Sequence, residues 1–299
     1  MVVFVDQHKA QYGVEPICRQ IQIALSSYYE CKARERDPDR LPDRLKRDKL
    51  LEYDIQRVWE NNFKVYGANK VWRQLLREGI YVARCTVERL MRKLGIQGVR
   101  RGKKCWTTIA DDLLDRPTDK VNRQFVAIRP NQLWVADITF VSTWSGFVYV
   151  AFITDVFARC IVGWRVSRSL HTDLVLDALD QALWSRQETN GLIHHSDRGS
   201  QYLSIRYTER LTEANVDASV GSVGDSYDNA LAETINGLYK TEVIRHRGSW
   251  RNISEVEFAT LEWVDWFNNR RLLESIGNIP PAEYEMAYYR QLGESAEAA

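Results

Sequence analysis

The order of strand-like and helix-like segments between residues 133 and 245 most constrains what this chain can fold into. Three apolar, β-branched runs come first, at 133–142, 147–154 and 160–167. Then follow a helix pattern at 172–187, a short strand from 192, a helix near 205–214, a strand at 216–220 and a helix at 227–245. An antiparallel meander followed by alternating helices and strands predicts an α/β fold, with a mixed five-stranded sheet and flanking helices.

Three acidic residues occupy distinctive places in this pattern. Asp137 interrupts the apolar face of the first strand, Asp197 directly follows the fourth strand, and Glu233 lies within the last helix. A carboxylate in an apolar strand face is costly to bury unless it is paired or metal-bound. Oxygen ligands without nearby cysteine suit Mg²⁺ or Mn²⁺. We expect the three acids to meet and hold two such ions, which can promote phosphodiester displacement; the alternative is three surface acids in salt bridges.

The last helix carries a polar stripe around Glu233. Its other members, at i−4, i+3 and i+7 relative to Glu233, are Asn229, Asn236 and Lys240. Leu231, Ile235 and Leu238 form an opposing apolar stripe, which we expect to be buried. The stripe therefore predicts DNA contacts beside the acidic site.

A basic module precedes the α/β region. Residues 64–104 hold 12 Lys and Arg against 2 Asp and Glu, although the whole chain has a net charge of only +1. Helix patterns at 69–77 and 86–94 flank Gly79, and the second has an apolar stripe, as in a helix-turn-helix whose second helix enters a major groove. The predicted DNA contacts are Arg84, Arg89, Arg92, Lys93, Lys103 and Lys104. The alternatives are a solvated basic face or a helical hairpin packed on the next domain.

The rest of the chain fits around these two regions. Short helices are expected at 14–23 and after Ser26 or Ser27, either of which can cap the second, followed by a charged linker and a helix near Leu50. We predict five segments: an N-terminal helical segment with its linker at 1–54, the helix-turn-helix module at 55–104, a connector at 105–128, the catalytic core at 129–245 and a helical tail at 246–299.

Cysteine usage and hydropathy indicate the cell compartment. The five cysteines are scattered without a CxxC pair, which is typical of a reduced cytoplasm. The most apolar stretch, 147–154, is far shorter than the roughly 20 residues of a membrane span. We therefore expect a cytoplasmic protein without membrane contact.

Three motifs together resemble a known family. They read WVADIT at 134–139, HSDRGSQY at 195–202 and GDSYDNA at 224–230, the last leading to Glu233 and Lys240. This combination resembles the second-reading-frame product of the insertion-sequence-three transposases, whose core is similar to retroviral integrase and has the ribonuclease-H-like fold. The likeness runs from about Tyr12 to the tail.

The resemblance implies a DNA transposase with an Asp-Asp-Glu (DDE) triad of Asp137, Asp197 and Glu233, and with Lys240 on the terminal DNA of the element. It implies that water frees a 3′-OH at the element end and that this hydroxyl attacks a second phosphodiester. The implied partners are terminal inverted-repeat DNA, target DNA, a first-reading-frame protein and further copies of the chain on DNA.

The tail both matches and departs from the family. The run WFNNRR at 266–271 matches its aromatic-Asn-x-x-Arg pattern, whereas Leu273 stands where His is common and Pro280 where Ser or Thr is usual. These departures bear on the DNA contacts of the tail and leave the triad intact.

Two other groups of residues have competing interpretations. His194 and His195, beside the second acid, could orient a water or a phosphate, or could simply pack at a strand end. The tryptophans at 134, 144, 164 and 184 are most simply explained as core residues.

Two rival functions use the same residues. One is a sequence-specific DNA-binding regulator with an inert core, and the other is a ribonuclease-H-type nuclease or junction resolvase. The first would bind DNA without a metal-dependent product, and the second would cut hybrid or branched substrates without joining strands.

Overall fold

A computed structural model of the chain describes residues 1–100, 126–197, 199–220 and 230–297, and these form two compact units. Unit 1 comprises Met1–Arg57 and Ala83–Ile96, and unit 2 comprises Val58–Val82 and Gln97–Ala299. The connector expected at 105–128 lies outside the described residues except for its last three. The five predicted segment boundaries stay a prediction.

Unit 1 is helical. It begins with α1 (Val2–Tyr12), α2 (Val14–Gln20) and α3 (Leu25–Arg36), whose small core consists of Val5, Ile17, Cys18 and Tyr28. The expected cap at Ser26 or Ser27 is wrong, because α3 begins at Leu25 after Ala24 and has no side-chain cap. Helix α1 was not expected from the sequence.

The helix expected near Leu50 begins earlier. Helix α4 (Asp43–Asn61) starts directly after Pro42, whose carbonyl accepts from the amides of Leu45 and Lys46. Its buried positions, Leu51, Ile55 and Val58, are separated by many charged residues. These charges conceal the apolar stripe and made residues 43–49 read as linker.

The two helices predicted in the basic module are confirmed as elements. They are α5 (Ala68–Arg77), in unit 2, and α6 (Arg84–Lys93), in unit 1. The apolar stripe of α6 is buried at Val87, Leu90 and Met91, as its spacing predicts. Arg84, expected just before the helix, is its first residue.

Unit 2 is built on the predicted five-stranded mixed sheet. Its strands are β1 (Leu133–Thr143), β2 (Gly146–Asp155), β3 (Ile161–Ser167), β4 (Ile193–Ser196) and β5 (Asp217–Val220). Their order is β3-β2-β1-β4-β5; the first three strands pair antiparallel, and β4 and β5 run parallel to β1. The fold class expected from the order of elements is therefore confirmed.

Helices cover both faces of the sheet. Helices α7 (Thr172–Arg186) and α8 (Ile205–Glu213) pack with Trp134 and Ala136 on one face. Helix α9 (Ala230–Tyr239) lies on the other, where its Ala232 packs with Leu133 and Val135. Side chains alternate between the faces of a strand, so α9 covers the face that carries Asp137.

One glycine allows α7 to approach the sheet closely. A Cβ built on Gly163 of β3 would lie 2.2 Å from the carbonyl oxygen of Ala178 and 2.9 Å from the Cβ of Ala182. Any side chain at this position would push α7 away from β3. Gly163 therefore helps to hold the layer that supports β1 and β2.

The C-terminal part continues from α9. A π-helical turn (Lys240–Ile244) and α10 (Arg245–Arg247) lead to α11 (Ile253–Asn269) and α12 (Pro281–Glu297). Among the described residues, no helix is both long and apolar enough to cross a lipid bilayer.

The aromatic-Asn-x-x-Arg run of the tail has structural contacts. Phe267 is fully buried, and the amide of Asn268 forms two hydrogen bonds with the backbone of Ile161 on β3, at 2.9 and 2.8 Å. Arg271 is buried and forms an ion pair with Glu242 of the π-helical turn. These contacts hold the tail on the sheet and on the segment that follows α9.

Candidate active site

Two of the three expected acids lie side by side. β1 and β4 are parallel neighbours, and Ala136 is in register with Ser196. Asp137 directly follows Ala136, and Asp197 directly follows Ser196. Parallel pairing therefore leads us to expect their backbones about one strand spacing apart, roughly 4.8 Å. The sheet therefore brings two carboxylates that are 60 positions apart in sequence to neighbouring positions, one within β1 and one just after β4.

Asp137 is held in place by two hydrogen bonds. The side-chain amide of Asn236 on α9 donates to Oδ2 at 2.8 Å, and the backbone amide of Ile138 donates to Oδ1 at 2.8 Å. Removal from water and the negative charge of Asp197 raise the pKa of Asp137 to about 7, and the charge of Glu233 adds to this effect. The two hydrogen bonds oppose the rise. The carboxylate of Asp137 is thus held at a fixed position where the electrostatic potential is negative.

Asp197 combines solvent access with close protein surroundings. Its side chain is exposed, and its Oδ1 accepts a hydrogen bond from the backbone amide of Gly199 at 3.1 Å. The surrounding protein raises the pKa of its carboxyl, while the Gly199 amide works against the rise. The pKa values of Asp137 and Asp197 therefore shift in the same direction.

Glu233 and Asn236 stand three residues apart on α9, one helical turn along the same side. Asn236 is buried with its amide on Asp137, whereas Glu233 is exposed. The charge of Glu233 nevertheless reaches Asp137, since it contributes to the raised pKa of that carboxyl. Helix α9 therefore places the third acid within electrostatic range of Asp137.

The donor set fits a hard divalent cation. In the described part of the chain no three His, Cys, Asp or Glu side chains are grouped closely enough to hold a metal ion. The acids near Asp137 offer only oxygen ligands, and a cation would offset the repulsion that raises its pKa. The buried Oδ1 of Asn236, next to Asp137, accepts no hydrogen bond from the described residues. Oxygen atoms of this kind are the ligands that Mg²⁺ and Mn²⁺ prefer.

Lys240 begins the π-helical turn directly after α9. Its Nζ lies 4.8 Å from the ring centroid of Phe140 on β1. Partial burial lowers the pKa of Lys240, and the negative charge of Asp137 opposes this shift. π-Helical turns occur often at functional sites. This one sets the direction in which Lys240 leaves the helix.

The polar stripe expected on this helix is only partly a surface stripe. Asn236, expected to contact DNA, is buried against Asp137, and Ile235 is buried as predicted. Leu231 and Leu238 are only half-buried. Asn229, Lys103 and Lys104 lie outside the described residues.

The two histidines beside Asp197 are packed in the interior. His194 Nε2 lies 3.0 Å from the hydroxyl of Tyr207, and His195 Nδ1 lies 3.0 Å from that of Ser219. Burial lowers the pKa of His194 to about 3, so its ring is neutral near pH 7. The packing interpretation therefore fits both residues.

The basic residues of α6 divide into two groups. Arg89 forms two hydrogen bonds with the carboxylate of Asp48 on α4, at 2.8 and 3.0 Å, and Lys93 pairs with Glu52 at 2.5 Å. Arg92 is exposed and lies 3.5 Å from Glu88, one turn earlier, and Arg84 is exposed at the start of the helix. Arg89 and Lys93 therefore attach α6 to α4 in unit 1.

Sequence reasoning misplaced two tryptophans. Trp134 is buried in the core, as expected, but Trp144 and Trp184 are 72% and 83% exposed. Trp144 lies in the β1–β2 turn, where no layer covers it. Its place next to a Ser-Gly turn was the available signal, since loop residues lie on the surface.

The chain is similar to known families and proteins. Residues 46–104 match the family described as HTH-like domain, and residues 127–226 and 214–281 each match a family described as integrase core domain. The chain is 61% identical over 299 residues to the transposase for insertion sequence element IS629 of Shigella sonnei, which covers 100% of both proteins.

Two more distant matches are a transposase and a solved structure. Transposase InsF for insertion sequence IS3A of Escherichia coli K12 is 29% identical over 286 residues, which is 95% of this chain and 97% of that protein. The solved structure of the HTLV-2 integrase catalytic core domain in complex with magnesium, in its trimeric form, has 16% identity and a TM-score of 0.43. It covers 54% of this chain and 99% of that one.

Proposed function

The chain belongs to the insertion-sequence transposases that carry an integrase core, and from this membership we propose that Asp137, Asp197 and Glu233 form the triad of a DDE-type enzyme. The proposed reaction is cleavage and strand transfer at the ends of the element. Water attacks a phosphodiester and releases a 3′-OH. The freed 3′ oxygen then attacks a second phosphodiester, forms a new P–O bond and displaces the 3′ oxygen of that strand.

One observation carries this proposal: the parallel pairing of β1 with β4 brings Asp137, within β1, beside Asp197, which directly follows β4, and the helix that carries Glu233 covers Asp137. A pair of surface acids in salt bridges would not need this arrangement. Asn236 supports the proposal further, because its buried side-chain amide donates a hydrogen bond that orients the carboxylate of Asp137. Orienting partners of this kind are typical of metal-binding carboxylates.

The triad residues are proposed to hold Mg²⁺ or Mn²⁺, two ions per site. When bound, such ions activate the attacking oxygen and stabilise the leaving oxygen in phosphodiester displacement. Asp137 on β1, Asp197 after β4 and Glu233 on α9 would hold the ions, while Asn236 keeps Asp137 in a fixed orientation. Lys240 neutralises a phosphate of the DNA end.

DNA contacts outside the triad are also proposals. Arg84 and Arg92 are exposed on α6 and suit phosphate contacts. Arg89 and Lys93 would first have to leave Asp48 and Glu52, so we assign them mainly to holding α6. Asn229, Lys103 and Lys104 remain candidates from the sequence alone.

The proposed partners follow from the reaction. They are the terminal inverted repeats, the target DNA, further copies of the chain on the DNA, and a first-reading-frame protein. Strand transfer joins separate DNA segments, so a single site must meet at least two of them in turn.

A cleavage and joining assay tests the proposal. The purified chain is incubated with a labelled duplex of the element end and Mg²⁺, and the products are separated on a denaturing gel. We expect wild type to produce both cleaved and joined strands, and Asp137→Asn, Asp197→Asn and Glu233→Gln to produce neither. The matched control is Asp173→Asn, which removes an exposed acid on α7 and should keep wild-type activity.

Other outcomes distinguish the rival functions. Equal activity of wild type and Asp197→Asn would remove the catalytic role of the triad. DNA binding with no metal-dependent product would assign the chain to the regulators. Cleavage of hybrid or branched substrates without joining would assign it to the nucleases.

A further inference from the structure

Three aromatic side chains project into solvent from the β1–β2 hairpin. Phe140, Trp144 and Phe147 are 47%, 72% and 57% exposed, and we call them the hairpin aromatic surface. The rings of Phe140 and Phe147 meet edge to face, with centroids 5.7 Å apart. Burial of apolar rings is favourable, so the common exposure of all three marks a candidate binding surface.

The backbone of the hairpin that carries these rings is held in place by hydrogen bonds. Thr143 Oγ1 donates to the carbonyl of Gly146 at 2.7 Å, and Gly146 has a φ of 109°, which favours glycine. The backbone amide of Trp144 donates to the carbonyl of Trp250 at 2.9 Å. A ligand would therefore bind rings that stand on an already ordered hairpin backbone, which lowers the entropic cost of binding.

Cations lie over two of the rings. The Nζ of Lys240 is 4.8 Å from the centroid of Phe140, and the guanidinium of Arg251 is 5.8 Å from that of Trp144. Arg251 is also 3.9 Å from the carboxylate of Glu255, which partly balances its charge. Arg245 is exposed nearby in sequence. Aromatic faces alternating with cations favour a ligand that has both flat rings and negative charge.

This surface adjoins the candidate active site along β1. Phe140 follows Asp137 by three residues, so strand alternation places its side chain on the opposite face of the sheet. β4 ends at Ser196, level with Ala136, so it pairs with β1 only before Asp137. Beyond that point this side of β1 is not covered by β4, and Lys240, the first residue after the helix that covers Asp137, carries its Nζ to 4.8 Å from the centroid of the Phe140 ring.

We propose that the hairpin aromatic surface binds unpaired nucleotides of the DNA end next to the phosphate that reacts. This inference rests on the proposed function and specifies which part of the DNA the site takes. Unpaired bases expose faces that a duplex hides in its stack, and aromatic side chains bind such faces with little sequence preference. Lys240 and Arg251 contact the neighbouring phosphates.

The test compares tailed and blunt DNA. Fluorescence anisotropy at fixed salt measures affinity for a 30-base-pair duplex that is blunt, or that carries a four-nucleotide dT tail on its 3′ or its 5′ strand. We expect Trp144→Ala to weaken binding of at least one tailed duplex by about 10-fold or more, and that of blunt DNA by less than about 2-fold. Trp184→Ala, which removes another exposed tryptophan, is the matched control and should change neither.

A second substitution guards against a local folding defect. Phe140→Leu keeps the apolar volume at this position and removes the aromatic face, and it should also weaken binding of tailed DNA selectively. Thermal melting of each variant checks the fold. Equal affinity of wild type, Trp144→Ala and Phe140→Leu for every tailed duplex would overturn the proposal.

Two further readouts separate this inference from its alternatives. If Trp144→Ala changes the sedimentation of the DNA-free chain and leaves tailed-DNA affinity unchanged, the surface binds a second copy and the proposal is wrong. Cleavage by wild type and Asp197→Asn is measured on the same duplexes. If wild type forms no metal-dependent product, the proposed function is wrong. The selective loss of affinity for tailed DNA in Trp144→Ala is measured without catalysis and therefore tests the further inference by itself.

Discussion

At the scale of single residues, Asn236 connects the helix of the third acid to the strand of the first. Its amide donates to Asp137, and its own oxygen is buried without a hydrogen-bond partner among the described residues. The donor fixes the carboxylate of Asp137. Asn236 is therefore a positioning residue, and its removal should change how the acids bind metal.

We expect Asn236→Ala to lower strand cleavage by about 10- to 100-fold at limiting Mg²⁺, because an unoriented carboxylate binds metal more weakly. Raising the Mg²⁺ concentration should recover part of the loss. The measurement is the cleavage rate across a Mg²⁺ titration. Asn269→Ala removes a similar Asn–Asp hydrogen bond at an exposed place and serves as control. An unchanged Mg²⁺ midpoint in Asn236→Ala would contradict the positioning role.

His194 leads to a second prediction, on acid stability. Burial lowers its pKa in the folded chain to about 3 from an ordinary 6.5, so the unfolded chain binds the extra proton first as pH falls. Its contribution to stability is complete above pH 6.5 and decreases as pH falls towards 3, by about 1.4 kcal/mol per pH unit.

Urea unfolding at several pH values checks this expectation. Between pH 6.5 and 5, the free energy of unfolding should fall by about 2 kcal/mol more in wild type than in His194→Gln. His171→Gln removes an exposed histidine and should retain the steeper wild-type dependence. If the free energy of unfolding depends on pH in the same way in wild type and in His194→Gln, a group other than His194 causes the loss of stability at low pH.

At the scale of elements, a buried ion pair joins the π-helical turn to the tail. Arg271 donates from Nη2 to Glu242 at 2.5 Å and from Nε at 3.2 and 3.1 Å, and Trp263 donates to the same carboxylate at 3.1 Å. Both partners are more than nine-tenths buried. The pair therefore holds the segment that carries Lys240 against α11.

Breaking this pair should destabilise the chain strongly. We expect Arg271→Ala to lower the free energy of unfolding by about 3–5 kcal/mol, because it leaves the Glu242 carboxylate buried without its partner. Replacing both partners by apolar residues, as in Glu242→Leu with Arg271→Met, should recover much of the loss. Urea unfolding measures the change. The control is Arg247→Ala, whose exposed pair with Glu262 should contribute less than about 1 kcal/mol.

Elements also mark how far sequence reasoning reaches here. The strands and α7 are correct to within a few residues, because alternation and helical spacing are local patterns. The facing of Asp137 and Asn236, and the pairing of Glu242 with Arg271, depend on contacts between distant segments. Helical spacing alone places Asn236 on a polar stripe of the helix. It does not indicate that the Asn236 side chain is buried against Asp137.

At the scale of the whole molecule, the acids of the site oppose the stability of the fold that holds them. Asp137 is surrounded by protein, and burial together with the charges of Asp197 and Glu233 raises its pKa, which records how unfavourable its own charge is there. Sites of this kind reduce stability in exchange for function. The return of Ala83–Ile96 to unit 1 could not be predicted from the sequence, because no linear pattern encodes it.

The final prediction joins stability to metal binding. Asp137→Asn removes one charge and keeps an oxygen that can accept from Asn236, so it should melt above wild type when EDTA is present. Mg²⁺ at about 100 times its dissociation constant should stabilise wild type by about 2.7 kcal/mol, which corresponds to a rise of roughly 5–10 °C in Tm. Asp137→Asn should lose most of this rise, while Asp173→Asn keeps it. Thermal melts with and without Mg²⁺ measure the difference, and an equal rise in Asp137→Asn would mean that the ion binds elsewhere.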